Sequence, residues 1–406
     1  MKSLWFAAIA AATAMALGPN GPAQAAQPIL IGASLAESPP GSVVQGTEIK
    51  EGLNIMAKMI NDKGGVLGRP LKIIYQNDQG IPSQGQAAVT KLITEDHVVA
   101  VTGSHQSSVT MADIEVAHRF KIPFVNTNGW ADSIREKGYP EVFNPGNYNR
   151  RVVEAVVETI KEMKLKNVLA FAENTDFGIG QAKGIANAVA TELPGVKYHY
   201  EVLDRAGKDF TPAVLKVKSN PPDMIINIML APAAYILMNQ LYDNNVAPTS
   251  KTWFYDAAGD TDNIDFWQNV HQAAVGMIGF GLYDPRMPMP ELGKQVAAQY
   301  QKEFKRPPDR LLFQAADSLI VIAQAIEHAK STDSAKMIHA METMEFHGTR
   351  GAFKFSDKPG YTYHQWIDIP YVTYQITALN QPIADTSLVQ LPDKPLQVDK
   401  LVKSTK

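Results

Sequence analysis

The chain has 406 residues, 45% hydrophobic and 19% charged, with a net charge of −3. That is globular composition, and the length suits two lobes of roughly 200 residues or fewer rather than one core. No basic excess points to nucleic acid and no acidic tail to a cationic partner; with no cysteine, neither disulfides nor thiol chemistry is available.

Residues 1–25 read as a secretory leader. Lys2 supplies a positive start, Leu4 to Leu17 an apolar run, and Gly18-Pro19-Asn20-Gly21-Pro22 breaks it. Ala23-Gln24-Ala25 then fits a small-x-small cleavage site. The run stops short of the about 18 residues a membrane span needs, and no cysteine follows it to carry a lipid. The expectation is cleavage near Ala25 and a soluble, periplasmic product; the alternative is a buried N-terminal helix.

After the leader, short apolar runs alternate with helical patterns. Pro28 to Leu35 reads as a first strand, and Gln45 to Asn61 as a helix with Ile49, Leu53, Met56 and Ile60 on one face. A strand over 71–78 and a helix through Ala87 to Ile93 follow. Further strands are predicted over 97–103, 122–127, 167–174, 200–204, 223–230 and 252–258. They are nearly all apolar, as parallel strands covered on both faces are. The alternation implies an α/β fold of βαβ units in doubly wound sheets. The series restarts after Phe143-Asn144-Pro145-Gly146, and again after Gly279-Phe280-Gly281, where helices over 290–304 and 314–330 are predicted. The tail from Gly351, rich in Tyr, Pro and β-branched residues, reads as antiparallel strands.

Open parallel sheets hold ligands beyond the carboxyl ends of their strands. Four polar turns lie there: 103–108 ("GSHQSS"), 126–130 ("NTNGW"), 174–180 ("NTDFGIG") and 256–260 ("DAAGD"). Two series of such turns imply a cleft between two lobes. The first turn leads into a helix, whose free N–H groups and positive end favour a carboxylate. Ser107 and Ser108 can add hydroxyl donors; alternatively one of them simply caps the helix.

"MINDKGGVLGRPLKIIYQND" carries a family resemblance. Gly64-Gly65 give the left-handed helix stop, and Val66-Leu67-Gly68-Arg69-Pro70 leads into a strand ending near Asp78. With "IGAS" at 31–34, Gly103 to Ser107, "FGIG" at 177–180, "DFTP" at 209–212 and "PPDMII" at 221–226, the chain resembles type I periplasmic solute-binding proteins of the branched-chain amino-acid ABC transporter class. The resemblance implies a two-lobed binder without cofactor or catalysis, closing by a hinge on a small solute and delivering it to membrane permease and ATPase subunits. It implies three interlobe crossings, near 146, 280 and 355, with lobe 1 as 26–146 plus 281–355 and lobe 2 as 147–280 plus 356–406. In that family a serine matching Ser107 holds the ligand carboxylate.

Three positions depart from the family. Asn128 offers a backbone or amide contact, but Trp130 stands where a hydroxyl helps grip the carboxylate; it either lines the ligand or packs under the loop. Phe177 stands where a Tyr is usual, as a ligand cover or as core. The acidic partner of an amino acid's ammonium falls opposite Ala257, with Asp256 one residue away. Tyr255, Trp253 and His105 enrich the neighbourhood in rings and polar tips. The expected solute is therefore a small carboxylate with a ring or apolar body flanked by Trp130 and Phe177, and an amino acid only if Asp256 faces the cleft. The candidate ligand residues are His105, Ser107, Ser108, Asn128, Trp130, Phe177 and Asp256.

Enzymatic readings have little support. "GIGQAKG" (178–184) is one residue too long for a dinucleotide fingerprint and starts well past its strand. Asp176-Phe177-Gly178 lacks the other kinase signatures, and no Gly-x-Ser-x-Gly elbow occurs. The nine His are scattered without metal-ligand spacing. A periplasmic ligand sensor of the same fold remains the main alternative to transport.

Overall fold

The computed structural model describes residues 27–406; the leader expected over 1–25 lies outside the described residues. The chain builds two sheets in succession. The first holds β1 (Ile29–Leu35), β2 (Leu71–Asn77), β3 (Ala100–Gly103), β4 (Phe124–Asn126) and β5 (Val142–Phe143), ordered β2-β1-β3-β4-β5. All its pairings are parallel. Between them run α1 (Val43–Asp62), α2 (Pro82–Thr94) and α3 (Ser107–Phe120). Pro82 opens α2 five residues before the predicted start, where its missing N–H costs the helix nothing.

The second sheet begins with β6 (Asn167–Glu173), β7 (Lys197–Leu203), β8 (Met224–Ile228), β9 (Trp253–Asp256) and β10 (Ile278–Gly281). The chain then returns to the first unit. The helix Arg310–Ala329 packs along α1, burying Leu312, Ala315, Leu319 and Ile322 with Ile49, Leu53 and Met56. A short ribbon, β11 (Phe346–His347) and β12 (Ala352–Phe353), joins the same core. Trp366 and Ile369 are buried in that cluster too. The chain therefore reaches the second sheet only at β13 (Val372–Gln375), further along than the crossing expected near 355.

β13 lies antiparallel to β10 and to β14 (Ser387–Gln390), completing the order β14-β13-β10-β9-β8-β6-β7. Apart from β12, only this part of the Tyr-rich tail is strand; residues 361–370 are turn and coil with one isolated bridge at Gln365, and Pro370 lies just ahead of β13. Helices cover both faces of each sheet, as the near-continuous apolar strands require. Among the described residues no helix is long and apolar enough to cross a membrane.

Two glycines hold the scaffold where no other residue fits. Gly65 stops α1 at φ +76°, and a Cβ there would meet the Arg69 carbonyl at 2.1 Å. Gly103 ends β3 at φ +119°, with the Ser34 carbonyl 2.2 Å from where its Cβ would be. β3 is thus pressed against β1 at the point where the polar turn leaves the sheet.

Candidate ligand-binding cleft

The strand-end turns of the two sheets face one another. The first, after β3, passes through Ser104, His105 and Gln106 into α3. Gln106 is the N-cap residue, in extended backbone and without a side-chain cap bond. Neither Ser107 nor Ser108 caps the helix, so its first N–H groups are left to whatever lies in front of them.

Ser107 instead ties two turns together. Its Oγ accepts the N–H groups of Trp130 and Ala131, both at 3.0 Å. With both lone pairs engaged, the hydroxyl hydrogen remains to be donated. Asn128 is engaged on three sides: its amide donates to the His105 carbonyl at 3.2 Å, and its Oδ1 accepts from Trp130 Nε1 at 3.1 Å and Gln314 Nε2 at 2.7 Å. These bonds fix the shape of the wall and leave Asn128 one amide hydrogen without a partner among the described residues.

His105 differs from its neighbours. It is 5% exposed, and neither ring nitrogen has a hydrogen-bond partner among the described residues. Burial drives its pKa well below the usual histidine range, helped by the positive charges of Arg310 and Arg205. The ring is neutral at pH 7, with one donor and one acceptor.

His105, Ser107, Asn128 and Trp130 from the first lobe close one cavity with Phe177, Leu230 and Ala258 from the second. Its free volume is about 10 Å³, about the space of one water-sized probe. Trp130 and Phe177 do not leave a slot for a flat ligand body between them. They meet edge to face, centroids 6.0 Å apart at 78°, and Trp130 meets Phe280 the same way at 6.2 Å. The quadrupoles of the rings favour that contact once both are buried.

Ser108 sits at the rim, outside the cavity lining, and donates to Asp176 across the cleft at 2.9 Å. Asp256 is turned into its own lobe. Its oxygens accept from Asn227 Nδ2 (2.9 Å), the Ala258 N–H (3.3 Å), the Thr261 N–H (2.9 Å) and Thr261 Oγ1 (3.1 Å). The positions facing the cavity after β9 are filled by Ala258 and, from β8, Leu230. Asp260 is spoken for as well, by the Ala231 N–H and the amides of Asn263 and Asn227. Burial first, then the neighbouring Asp256, raises its pKa well above the usual carboxyl range.

Sequence reasoning missed Leu230, Ala258, Arg310 and Arg205. The first two are the last residues of the predicted strands 223–230 and 252–258 and were open to the strand-end rule. Arg310 was not: it starts a helix far along the chain, then reaches the second lobe to pair with Asp262 and bond Asn263 Oδ1 at 3.2 Å. Arg310 and Asp262 are both almost fully buried. Arg205 crosses in the other direction, its Nη2 donating to Ser42 Oγ at 3.3 Å. No cluster of metal-ligating side chains occurs among the described residues.

A family model described as periplasmic binding protein matches residues 28–369. An amino acid binding protein of Pseudomonas aeruginosa is 26% identical over 335 residues, covering 80% of this chain and 86% of that one. A Leu/Ile/Val-binding protein homolog of Brucella abortus is 24% identical over 373 residues, covering 90% and 96%. Among solved structures, a leucine binding protein of Thermotoga maritima superposes with a TM-score of 0.78 at 18% identity, over 92% of this chain and 100% of that one. A solute binding protein of an R. palustris ABC transporter, in complex with benzoate, gives 0.77 at 19% identity, over 91% and 99%.

Proposed function

The chain belongs to the periplasmic binding protein family, and from that premise we propose that it is the solute-binding component of an ABC importer, capturing a small organic carboxylate without an ammonium group. It works in the periplasm, binds without turnover and hands its cargo to permease and ATPase subunits. The observation that carries the reading is Ser107: a hydroxyl free to donate, at the start of an uncapped helix, inside a cleft closed by both lobes. Helix N–H groups and a positive helix end suit a carboxylate.

The lack of an ammonium follows from the same walls. The cavity lining contains no carboxylate, and Asp256 is saturated within its own lobe. An ammonium buried there would have no counter-charge. The names of the relatives and neighbours, which include binders of amino acids and of benzoate, support the carboxylate and leave the ammonium to the site itself.

Capture is by hinge closure of two lobes, 26–146 with 281 to about 370, and 147–280 with the chain from β13 onward. Closure is supported by three ties across the cleft: Ser108 to Asp176, Arg205 to Ser42, and Arg310 to Asp262. A thermal-shift screen of small carboxylates tests the reading. A ligand at 100 times its dissociation constant stabilises the fold by about 2.7 kcal/mol. A screen in which no carboxylate raises the melting temperature overturns it.

A further inference from the structure

We propose that the cleft selects a compact carboxylate carrying a hydroxyl or keto oxygen on the neighbouring carbon, a 2-hydroxy or 2-oxo acid, and that His105 reads that second oxygen. The inference rests on the carboxylate reading above and adds the ligand's size and its second polar group.

His105 is the starting point. A buried ring with both nitrogens unpartnered is unusual, because buried polar groups are nearly always satisfied. No polar group among the described residues meets it: Asn128 bonds only its backbone carbonyl, and the Asn128 oxygen is taken by Trp130 and Gln314. A neutral imidazole offers an N–H and a lone pair. A ligand hydroxyl can meet either one, and a keto oxygen can meet the N–H. Ser107 and the start of α3 are then free for the carboxylate.

Spacing and size follow from the wall. His105 and Ser107 are two residues apart on one turn and line the same cavity of about 10 Å³. A ligand that satisfies both must place its two oxygen groups close together. Trp130 and Phe177 fill the apolar side by touching each other, and Leu230 and Ala258 complete it. That leaves the closed cleft the space of about one water, so a ligand seats only as the lobes part, and a short chain asks far less displacement than a ring between the two aromatics. A group built to hydrogen-bond a ligand oxygen rejects an analogue lacking it, because the protein's own polar atoms are then left unpaired.

Isothermal calorimetry on the exported protein decides the matter, with lactate, pyruvate, propionate, benzoate, 4-hydroxybenzoate and leucine as ligands. The expected result is that lactate or pyruvate binds more tightly than propionate, by about tenfold or more, and more tightly than either aromatic acid or leucine. His105→Leu should bring the 2-substituted acid down to the propionate level while propionate changes little. His105→Asn, which keeps one donor and one acceptor, should recover part of the difference. Equal binding of lactate, pyruvate and propionate to the wild type overturns the inference without any variant. So does preference for an aromatic acid or for leucine; an aromatic preference leaves the carboxylate reading standing. If no carboxylate binds, the carboxylate reading falls and this inference with it.

Discussion

Trp130 of the first lobe meets Phe177 of the second edge to face, their centroids 6.0 Å apart. Trp130 is 3% exposed and belongs to the same apolar cluster as Phe177, Phe280 and Ala258, all on the far side of the cleft. Trp130, which lines the cleft cavity, is thus also a side chain that one lobe sinks into the other.

Removing it should open the protein. Trp130→Ala deletes a buried aromatic, a change that costs about 3–5 kcal/mol in a core and here weakens the contact between lobes. Small-angle scattering should show a larger radius of gyration for the variant than for the wild type. The enlarged cleft should also accept benzoate better than the wild type does. Unchanged scattering and unchanged ligand preference would show that Trp130 has no part in closure.

Ser107→Ala removes the acceptor of two buried N–H groups. Leaving buried donors unpaired costs about 1–3 kcal/mol, so chemical denaturation should show a loss of that order. Affinity for the carboxylate ligand should fall as well, while Ser108→Ala, altering only the rim tie to Asp176, should cost much less affinity. Equal affinity losses for the two variants would remove Ser107 from its assigned place.

The buried Arg310–Asp262 pair predicts an asymmetry. Asp262→Ala leaves Arg310 buried without its charge partner, and breaking such a pair costs about 3–5 kcal/mol. The double variant Arg310→Met, Asp262→Leu should recover much of that loss, since apolar replacements of a buried pair are often tolerated. Thermal melts of the single and double variants check it; a double variant weaker than the single by a further comparable amount contradicts it.

Stability should also carry a signature of Asp78, 1% exposed at the end of β2. Burial is the largest cause raising its pKa from 3.8 to about 6, against the N–H of Gly80 and the hydroxyl of Ser34. A carboxyl raised in the folded state contributes stability that is complete below its unfolded value and lost as pH climbs through its folded one. The shift amounts to on the order of 3 kcal/mol. The stability of the wild type relative to Asp78→Asn should therefore fall between about pH 4 and pH 6 and then level off. A difference that is flat across that window, or rises through it, would contradict the assignment.

The apolar runs and strand-end turns made the sheets legible, because a parallel strand buried on both faces has few other ways to be written. Boundaries were less so. The run 97–103 yields a strand only from Ala100, since His97 sits at φ +52° and interrupts the extension. In the site, Ser107, Asn128, Trp130 and Phe177 could be named from their places after strands. The direction of a side chain could not: Asp256 is the last residue of β9, and nothing in "YDAAGD" says that Thr261 and Asn227 will absorb its carboxylate. Arg310 was invisible for another reason, since its partner Asp262 is 48 positions away on the opposite lobe.

The uncapped start of α3 has one more implication. A helix usually finishes its own first turn with a side chain; this one turns the Gln106 amide to Ser42, while the Ser107 oxygen accepts from the N–H groups of Trp130 and Ala131. A carboxylate seated there would supply the missing end-piece, so the proposed cargo would complete a secondary-structure element of its carrier. Amide exchange at Ser107 and Ser108 then becomes an occupancy gauge, fast in the unloaded carrier and slow in the loaded one, readable without any knowledge of what the cargo is.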